Sequence, residues 1–396
     1  MASHFRPWQP EVLINTRREP PRTFRPPLTC SGVRLALRPD PPPGAFLPLS
    51  GKLSSNRGSS PRKQNRPEMK DQHQERAEQR TTLSVGATVL AKQMGRHQAA
   101  EPSRNDTTTQ SCRSFVQGDA FDLVAELRPQ SIDLIITSPP YWGQRSYGQT
   151  HNWKIHEEWK HFGHSHLEPP PYDWYRSRGG VLGLEPYPDW YTSHLCEILE
   201  RARRSLRDSG SIWINIGDTY FARWSSIREN GRQGLGENHR ERRRTPMGGY
   251  LQEKQLLLVP SRFAIRMQDL RWVLRNDLIW FKPNVPPRPE RDRLRLTHEH
   301  FFHFVKRPRE GRARYYYDLK AAESSAFDVV TYNVRPGENG HTATFPEDLI
   351  APRIQTSCPV GGWVLDPFCG TGRALTVAVR LGRNAIGFDL ARAYFL

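Results

Sequence analysis

At 396 residues, 36% hydrophobic and carrying a formal net charge of +17, the chain can hold one large catalytic domain or two ordinary ones, and its basic balance suits a polyanion, nucleic acid above all. No run of 18 apolar residues is present, which excludes a membrane-spanning helix, and the early arginines are not followed by the apolar stretch of a secretory signal. Five scattered cysteines (Cys30, Cys112, Cys196, Cys358, Cys369) without CxxC spacing exclude a disulfide framework or zinc ribbon and fit a reducing cytoplasm.

Residues 1–105 differ from the rest. Thirteen prolines fall before residue 70, and 18 Lys and Arg stand against 8 Asp and Glu, so this stretch carries about +10 of the +17. Such a composition buries too little apolar surface to offset its ordering entropy, which predicts a disordered, basic, Pro-rich extension. It reads as a dispensable segment, as sequence upstream of a start at Met94, or as an arm that tethers DNA.

From Phe115 the pattern is α/β. Ile132–Thr137 is a short apolar run ending in a Ser-Pro-Pro turn, as expected of a buried parallel strand. A helix is predicted from Asp189 to about Leu206, stopped by Asp208-Ser209-Gly210, with a strand from Ser211 to Ile216. Pro260 opens another helix, and strands follow at Trp272–Phe281 and His300–Val305. The tail predicts a helix near Glu347, a strand Trp363–Leu365, a helix Arg373–Leu381 and a strand Asn384–Phe388. Strands alternating with helices imply a mainly parallel, helix-covered sheet.

Two phrases carry chemistry. In the first, the strand ending at Asp366 runs into Pro367-Phe368-Cys369-Gly370-Thr371-Gly372 and then a helix. Glycines at 370 and 372 let a ligand approach the backbone closely. Asp366 can receive a cationic amino group, and Asp389, at the end of the next strand, can hold the two hydroxyls of a ribose. A ligand with both groups is S-adenosyl-L-methionine. In the second, Ser138-Pro139-Pro140-Tyr141 follows the first apolar strand. Two prolines remove two N–H donors and leave carbonyls free to accept, which is what an exocyclic base amine requires for its N–H groups. Tyr141 is placed to stack on a base extruded from a duplex.

These motifs, in this order, resemble the β-class amino-methyltransferases of DNA, the N4-cytosine and N6-adenine group, over about residues 115–396. Gln117-Gly118-Asp119, Gly183-Leu184-Glu185-Pro186, Asn215–Tyr220, Trp280–Asn284 and His298–Phe302 match as well. The resemblance implies a Rossmann-like S-adenosylmethionine-dependent sheet of seven strands, one antiparallel, circularly permuted within a domain from 106 to 396. The catalytic half (about 115–305) then precedes the cofactor half (about 341–396). It assigns catalysis to Ser138, Pro139, Pro140 and Tyr141, and cofactor binding to Asp119 at the adenine end, Thr344 near the methionine end, Asp366, Phe368, Gly370, Thr371, Gly372 and Asp389. Transfer is direct, so Cys369 needs no chemical role. Ser at 138 usually accompanies N4-cytosine enzymes and Asp there N6-adenine ones; both amines need the same acceptors.

The chain departs from that pattern in two insertions, about 148–182 and 221–250. The first holds His151, His156, His161, His164 and His166, irregularly spaced and without cysteines, and reads as a hydrated surface loop that binds no metal; its Trp153, Trp159, Tyr172 and Trp174 either cover DNA or pack on the sheet. The second, Arg223 to Arg244, reads as a flexible basic loop in which Arg223, Arg240, Arg242, Arg243 and Arg244 grip phosphates or read guanine edges, joined by Arg288 and Arg291. Without a separate recognition domain between Lys306 and His341, the target site should be short. The expected partner is duplex DNA, and a separately encoded restriction endonuclease is compatible. Standing alternatives are N6-adenine methylation, methylation of RNA or of a protein glutamine, and an inactive DNA-binding relative.

Overall fold

The computed structural model describes residues 111–144, 149–165, 167–222, 224–228, 240–244, 246, 248–287, 290–322, 327–334 and 346–391; the side chains of 224–228, 240–244 and 322 are left aside. The extension expected at 1–105 lies outside these residues. An eight-stranded sheet is built from β1 (Arg113–Gln117), β2 (Ile132–Thr137), β3 (Leu206–Ile216), β6 (Trp272–Phe281), β7 (His298–Lys306), β8 (Val329–Thr331), β9 (Trp363–Asp366) and β10 (Asn384–Asp389). Their order is β1-β10-β9-β2-β3-β7-β6-β8. Only β7 runs antiparallel to its neighbours β3 and β6; the pairings β1–β10, β10–β9, β9–β2, β2–β3 and β6–β8 are parallel. The sheet therefore has the expected single antiparallel strand but one strand more than the expected seven: the three-residue β8 adds itself to the outer edge of β6.

Alternation along the strands divides the core in two. Ile135, Ile212, Ile214, Phe302, Phe304, Leu365 and Ile386 face one side, where α1 (Ala120–Glu126), α4 (Pro188–Ala202) and α5 (Val259–Asp269) cover them. Leu134, Ile136, Trp213, Phe301, Val364 and Ala385 face the other, under α6 (Glu347–Ser357) and α7 (Arg373–Arg380). Both faces are buried, so the strands read as continuous apolar runs. The predicted strands at 272, 363 and 384 and the helices at 259, 347 and 373 fall within a residue or two of their expected places.

The helix expected to reach Leu206 ends at Ala202. Ser205 closes it by bonding back to the Ala202 carbonyl through both N–H and hydroxyl, and β3 starts at Leu206. Asp208-Ser209-Gly210 does not stop a helix; it is taken up in a bulge, where the β2–β3 register slips between Ile132 and Leu134.

The insertion expected to be a hydrated loop is packed instead. It forms α2 (Ile155–His161) and α3 (Tyr172–Ser177), with His151, Ile155, Trp159, Tyr172 and Tyr175 buried. His151 Nδ1 accepts from the Val181 N–H, Trp159 donates to the Glu168 carbonyl, and Tyr172 stands edge-on to Phe121. Of its aromatics, Trp159 and Tyr172 thus belong to the core side. The second insertion contains paired backbone, β4 (Trp224–Arg228) against β5 (Arg240–Arg244), rather than only a loop. No helix among the described residues is long and apolar enough to cross a membrane.

Candidate active site

Two chain directions diverge between β9 and β2: from β9 the fold proceeds through α7 to β10, and from β2 it proceeds to β3. Open α/β sheets leave a crevice at such a switch point, outside the carboxyl ends of the strands. Here it is a cavity of about 1050 Å³, just above the roughly 300–1,000 Å³ usual for ligand sites. Ser138, Pro139, Pro140 and Tyr141 line it from the end of β2, and Asp366, Phe368, Gly370 and Thr371 from the end of β9; Asp119 and Asp389 line it from β1 and β10. The parallel register Leu134↔Val364 and Ile135↔Leu365 brings both turns to one level. They are also bonded: the Thr137 hydroxyl donates to Asp366 Oδ1 at 2.6 Å, in a fully buried contact.

Asp366 Oδ1 also accepts the Phe368 N–H at 3.1 Å, so both bonds fall on one oxygen and leave the other for a ligand. Burial pushes its carboxyl up to about 7, against the lowering effect of these two donors. Asp389 Oδ2 accepts the Gly370 N–H and Oδ1 the Ala391 N–H, both at 2.9 Å, and burial raises its pKa too. A carboxylate offers about four acceptor positions, so Asp389 still has capacity for a hydroxyl. Asp119 caps α1 by accepting the Phe121 N–H at 2.9 Å; its second oxygen lies 3.5 Å from the Tyr172 hydroxyl and 3.8 Å from Arg176. Burial raises its pKa as well.

The two glycines of the turn differ. Gly370 has φ +49°, and a Cβ there would meet nothing within 4 Å, so it leaves the open space of a cradle on the cavity wall. Gly372 has φ +72°, caps α7, and does not line the cavity; a Cβ on it would lie 2.3 Å from the Phe115 ring. Close packing against Phe115 therefore also requires a glycine at this position. A carboxylate with a spare oxygen, a side-chain-free cradle and a second carboxylate at the neighbouring strand end together fit an amino acid joined to a ribose.

Opposite them, Tyr141 does not stand free. Its hydroxyl lies 2.7 Å from Glu299 Oε2 and 2.9 Å from Asn215 Oδ1, and Ser138 Oγ donates to it at 3.4 Å. Glu299 is ion-paired with Lys282. Burial, then the charge of Glu299, holds the phenol well above its ordinary value. The turn is backed by the Gly183–Glu185 segment: Gly143 N–H donates to the Gly183 carbonyl, Trp142 Nε1 to the Glu185 carbonyl, and the Glu185 carboxylate takes Gly183 N–H and faces His194.

Asn215, Lys282 and Glu299 stand within the phrases that match the family, and the sequence alone assigns them no role. A polar residue inside an apolar strand, such as Asn215 between Ile214 and Ile216, was the available signal. Arg291 is exposed and does not line the cavity. Its neighbour Arg293 does, stacked 3.9 Å over the Tyr220 ring and paired with Glu290. Arg223, Arg288 and Thr344 lie outside the described residues, and Arg240, Arg242, Arg243 and Arg244 are described only as backbone in β5.

Fold and site together define a circularly permuted, Rossmann-like, S-adenosyl-L-methionine-dependent methyltransferase. A family model of DNA methylases, covering N6 and N4 amino-methyltransferases, matches residues 132–396. The Type II methyltransferase M.SmaI of Serratia marcescens is 32% identical over 299 residues, which span 73% of this chain and 90% of that protein. M.Cfr9I of Citrobacter freundii, also a Type II methyltransferase, is 33% identical over 289 residues, 71% of this chain and 84% of that one. Among solved structures, the PvuII DNA methyltransferase, described as cytosine-N4-specific, is similar at 19% identity and a TM-score of 0.49, covering 72% of this chain and 84% of its own. The chain belongs to the N6/N4 DNA methylase family, and it is a DNA methyltransferase.

Proposed function

We propose that the chain methylates N4 of cytosine in duplex DNA, with the target base turned out of the stack into the cavity beside the Ser138–Tyr141 turn. The observation that carries this reading is a serine, not a carboxylate, at the head of a Pro-Pro-Tyr turn bonded to the cofactor turn through Thr137 and Asp366. S-adenosyl-L-methionine, when bound, supplies a methyl group on a positively charged sulfur. Asp366 would hold its amino group, Gly370 and Phe368 would flank it, and Asp389 and Asp119 would hold the sugar and adenine end. On the catalytic side, the Ser138 oxygen and the Pro139 carbonyl each accept one N–H of the exocyclic amine, which draws its lone pair out of conjugation and toward the methyl group. Tyr141 offers a ring face to the base. A base filling the cavity would displace water from the half-buried Ser138 and strengthen both hydrogen bonds.

The basic residues Arg240, Arg242, Arg243 and Arg244 of β5, together with Arg223, Arg288 and Arg291, are proposed to hold DNA phosphates. The relatives carry Type II names, and this chain is proposed to act beside a separately encoded endonuclease. Sequencing single molecules of DNA from cells that express the chain tests the reading, with nucleoside separation after digestion as the second arm. N4-methylcytosine at one short site is expected; N6-methyladenine in its place sinks the cytosine assignment, and unmodified DNA sinks both.

A further inference from the structure

The wall opposite the cofactor turn holds a hydrogen-bonded line that runs from Lys282 to Glu299, to the Tyr141 hydroxyl and on to Ser138. The side chains of Lys282 and Glu299 are only 13% and 15% exposed, and all four residues line the cavity. Their protons can be counted. The Tyr141 hydroxyl has one proton and two acceptors near it, Glu299 Oε2 at 2.7 Å and Asn215 Oδ1 at 2.9 Å. A charged acceptor at the shorter distance takes it. The Asn215 amide is oriented independently, because its Nδ2 donates to the His300 carbonyl and so turns Oδ1 toward the phenol. With its proton committed to that side, Tyr141 meets Ser138 as an acceptor, and Ser138 must donate to it. The Ser138 oxygen is then left with lone pairs only, which is what an amine N–H needs. If Tyr141 instead donated to Ser138, the serine proton would turn into the cavity and oppose the amine.

We infer that Glu299 and Lys282 are positioning residues for methyl transfer: through the Tyr141 hydroxyl they fix the direction of the Ser138 O–H, so that the serine presents an acceptor to the target amine. This rests on the reading of Ser138 as the amine's acceptor. Gly217 belongs to the same device, since a Cβ there would lie 2.8 Å from the Tyr141 ring and 3.4 Å from the Glu299 carboxyl carbon; its absence lets ring and carboxylate meet. The phenol, held above its ordinary value by burial and by Glu299, keeps its proton across the physiological range.

The test uses the full chain, plasmid DNA and radiolabelled S-adenosyl-L-methionine under single-turnover conditions, with affinity for S-adenosylhomocysteine and for DNA measured alongside. Tyr141→Phe, Glu299→Gln and Lys282→Met should each slow the transfer step, the first two by about 10- to 100-fold, the usual cost of a hydrogen bond to a charged group. Both affinities should stay within about threefold, because the inferred role of the charged pair is to orient Tyr141 and Ser138 rather than to hold either ligand. The Tyr141→Phe/Glu299→Gln double variant should be no slower than the slower single one, since one line is cut in either case. Independent, multiplying losses would overturn the inference, as would an unchanged rate in Glu299→Gln or a rate loss matched by lost DNA affinity. Should Glu299→Gln fail to fold, the Tyr141→Phe and Lys282→Met pair runs the same cycle. Nucleosides from the wild-type product judge the cytosine reading separately, so the loss of that reading and the loss of the relay give different results.

Discussion

The backbone N–H groups of the glycine turn at Asp366–Gly372 are bonded to residues near it in sequence, while the Tyr141 hydroxyl of the Pro-Pro turn is bonded to partners 74 and 158 positions away. In the glycine turn, Phe368 N–H bonds to Asp366, Gly372 N–H to the Cys369 carbonyl, and Gly370 N–H to Asp389 at the next strand end. One strand, one helix and one further strand contain nearly all of it. The Pro-Pro turn has rigid backbone but borrows its side-chain order from β3, from β7 and from Lys282 just past β6. A binding cradle can be encoded locally, because backbone N–H groups and missing side chains build it. A catalytic wall needs charges arranged around a small target, and these come from separate strands.

Ser138→Ala cuts the borrowed side of this contrast at its tip. Transfer should fall about 100- to 1,000-fold, the usual cost of one well-aimed hydrogen-bonding group at a reacting centre, while cofactor affinity holds; single-turnover rates and calorimetry measure the two. Lost cofactor affinity instead would make the two turns one unit. Gly372→Ala attacks the local side. Strain at φ +72° and the collision with Phe115 should remove ~2–4 kcal/mol of stability in denaturant titration, and Phe115→Leu in the same chain should restore part of it.

Asp366 sharpens the same contrast through pH. Its folded carboxyl titrates at about 7 against 3.8 for the free group, so the folded state keeps a proton that the unfolded chain has already lost. Stability should therefore be highest below pH 4 on account of this group and fall as pH rises toward 7, by up to about 1.4 kcal/mol per unit; Asp366→Asn should flatten that slope. Cofactor affinity should run the other way and improve as pH rises through 7, since the amino group pairs with the ionised carboxylate. Thr137→Val breaks the one bond between the turns and should cost about 1–3 kcal/mol in thermal or chemical unfolding. Gly370→Ala is the mildest change, costing about 1 kcal/mol of backbone strain, and should weaken cofactor binding more than it weakens the fold.

Legibility in the sequence followed the same division. The strands at 132, 272, 363 and 384 and the helices after 259 and 373 stand close to where apolar runs, Pro260 and the glycines predict them. Residues 148–182 were misread because two short helices with mixed His, Trp and Tyr show no clean periodicity, and only contacts such as Val181 with His151 reveal their burial. Asp208-Ser209-Gly210 looked like a stop signal, and the bulge against β2 appears only once β2 is in place. Asn215 on β3, Glu299 on β7 and Lys282 just past the end of β6 are ordinary letters until the sheet order brings them together beside Tyr141.

Local sequence determined the alternation of strands and helices and the two turns, whose order carries the family resemblance that implies a permuted fold. The turns depend on backbone freedom at Gly370, backbone rigidity at Pro139-Pro140, and acidic strand ends, all properties of short segments. Tertiary structure decided which side chains stand around Tyr141 and Ser138, that Gly372 packs against Phe115, and that Thr137 joins the two turns. Such contacts join residues more than 70 positions apart, and burial turns each from a screened surface interaction into a directional one.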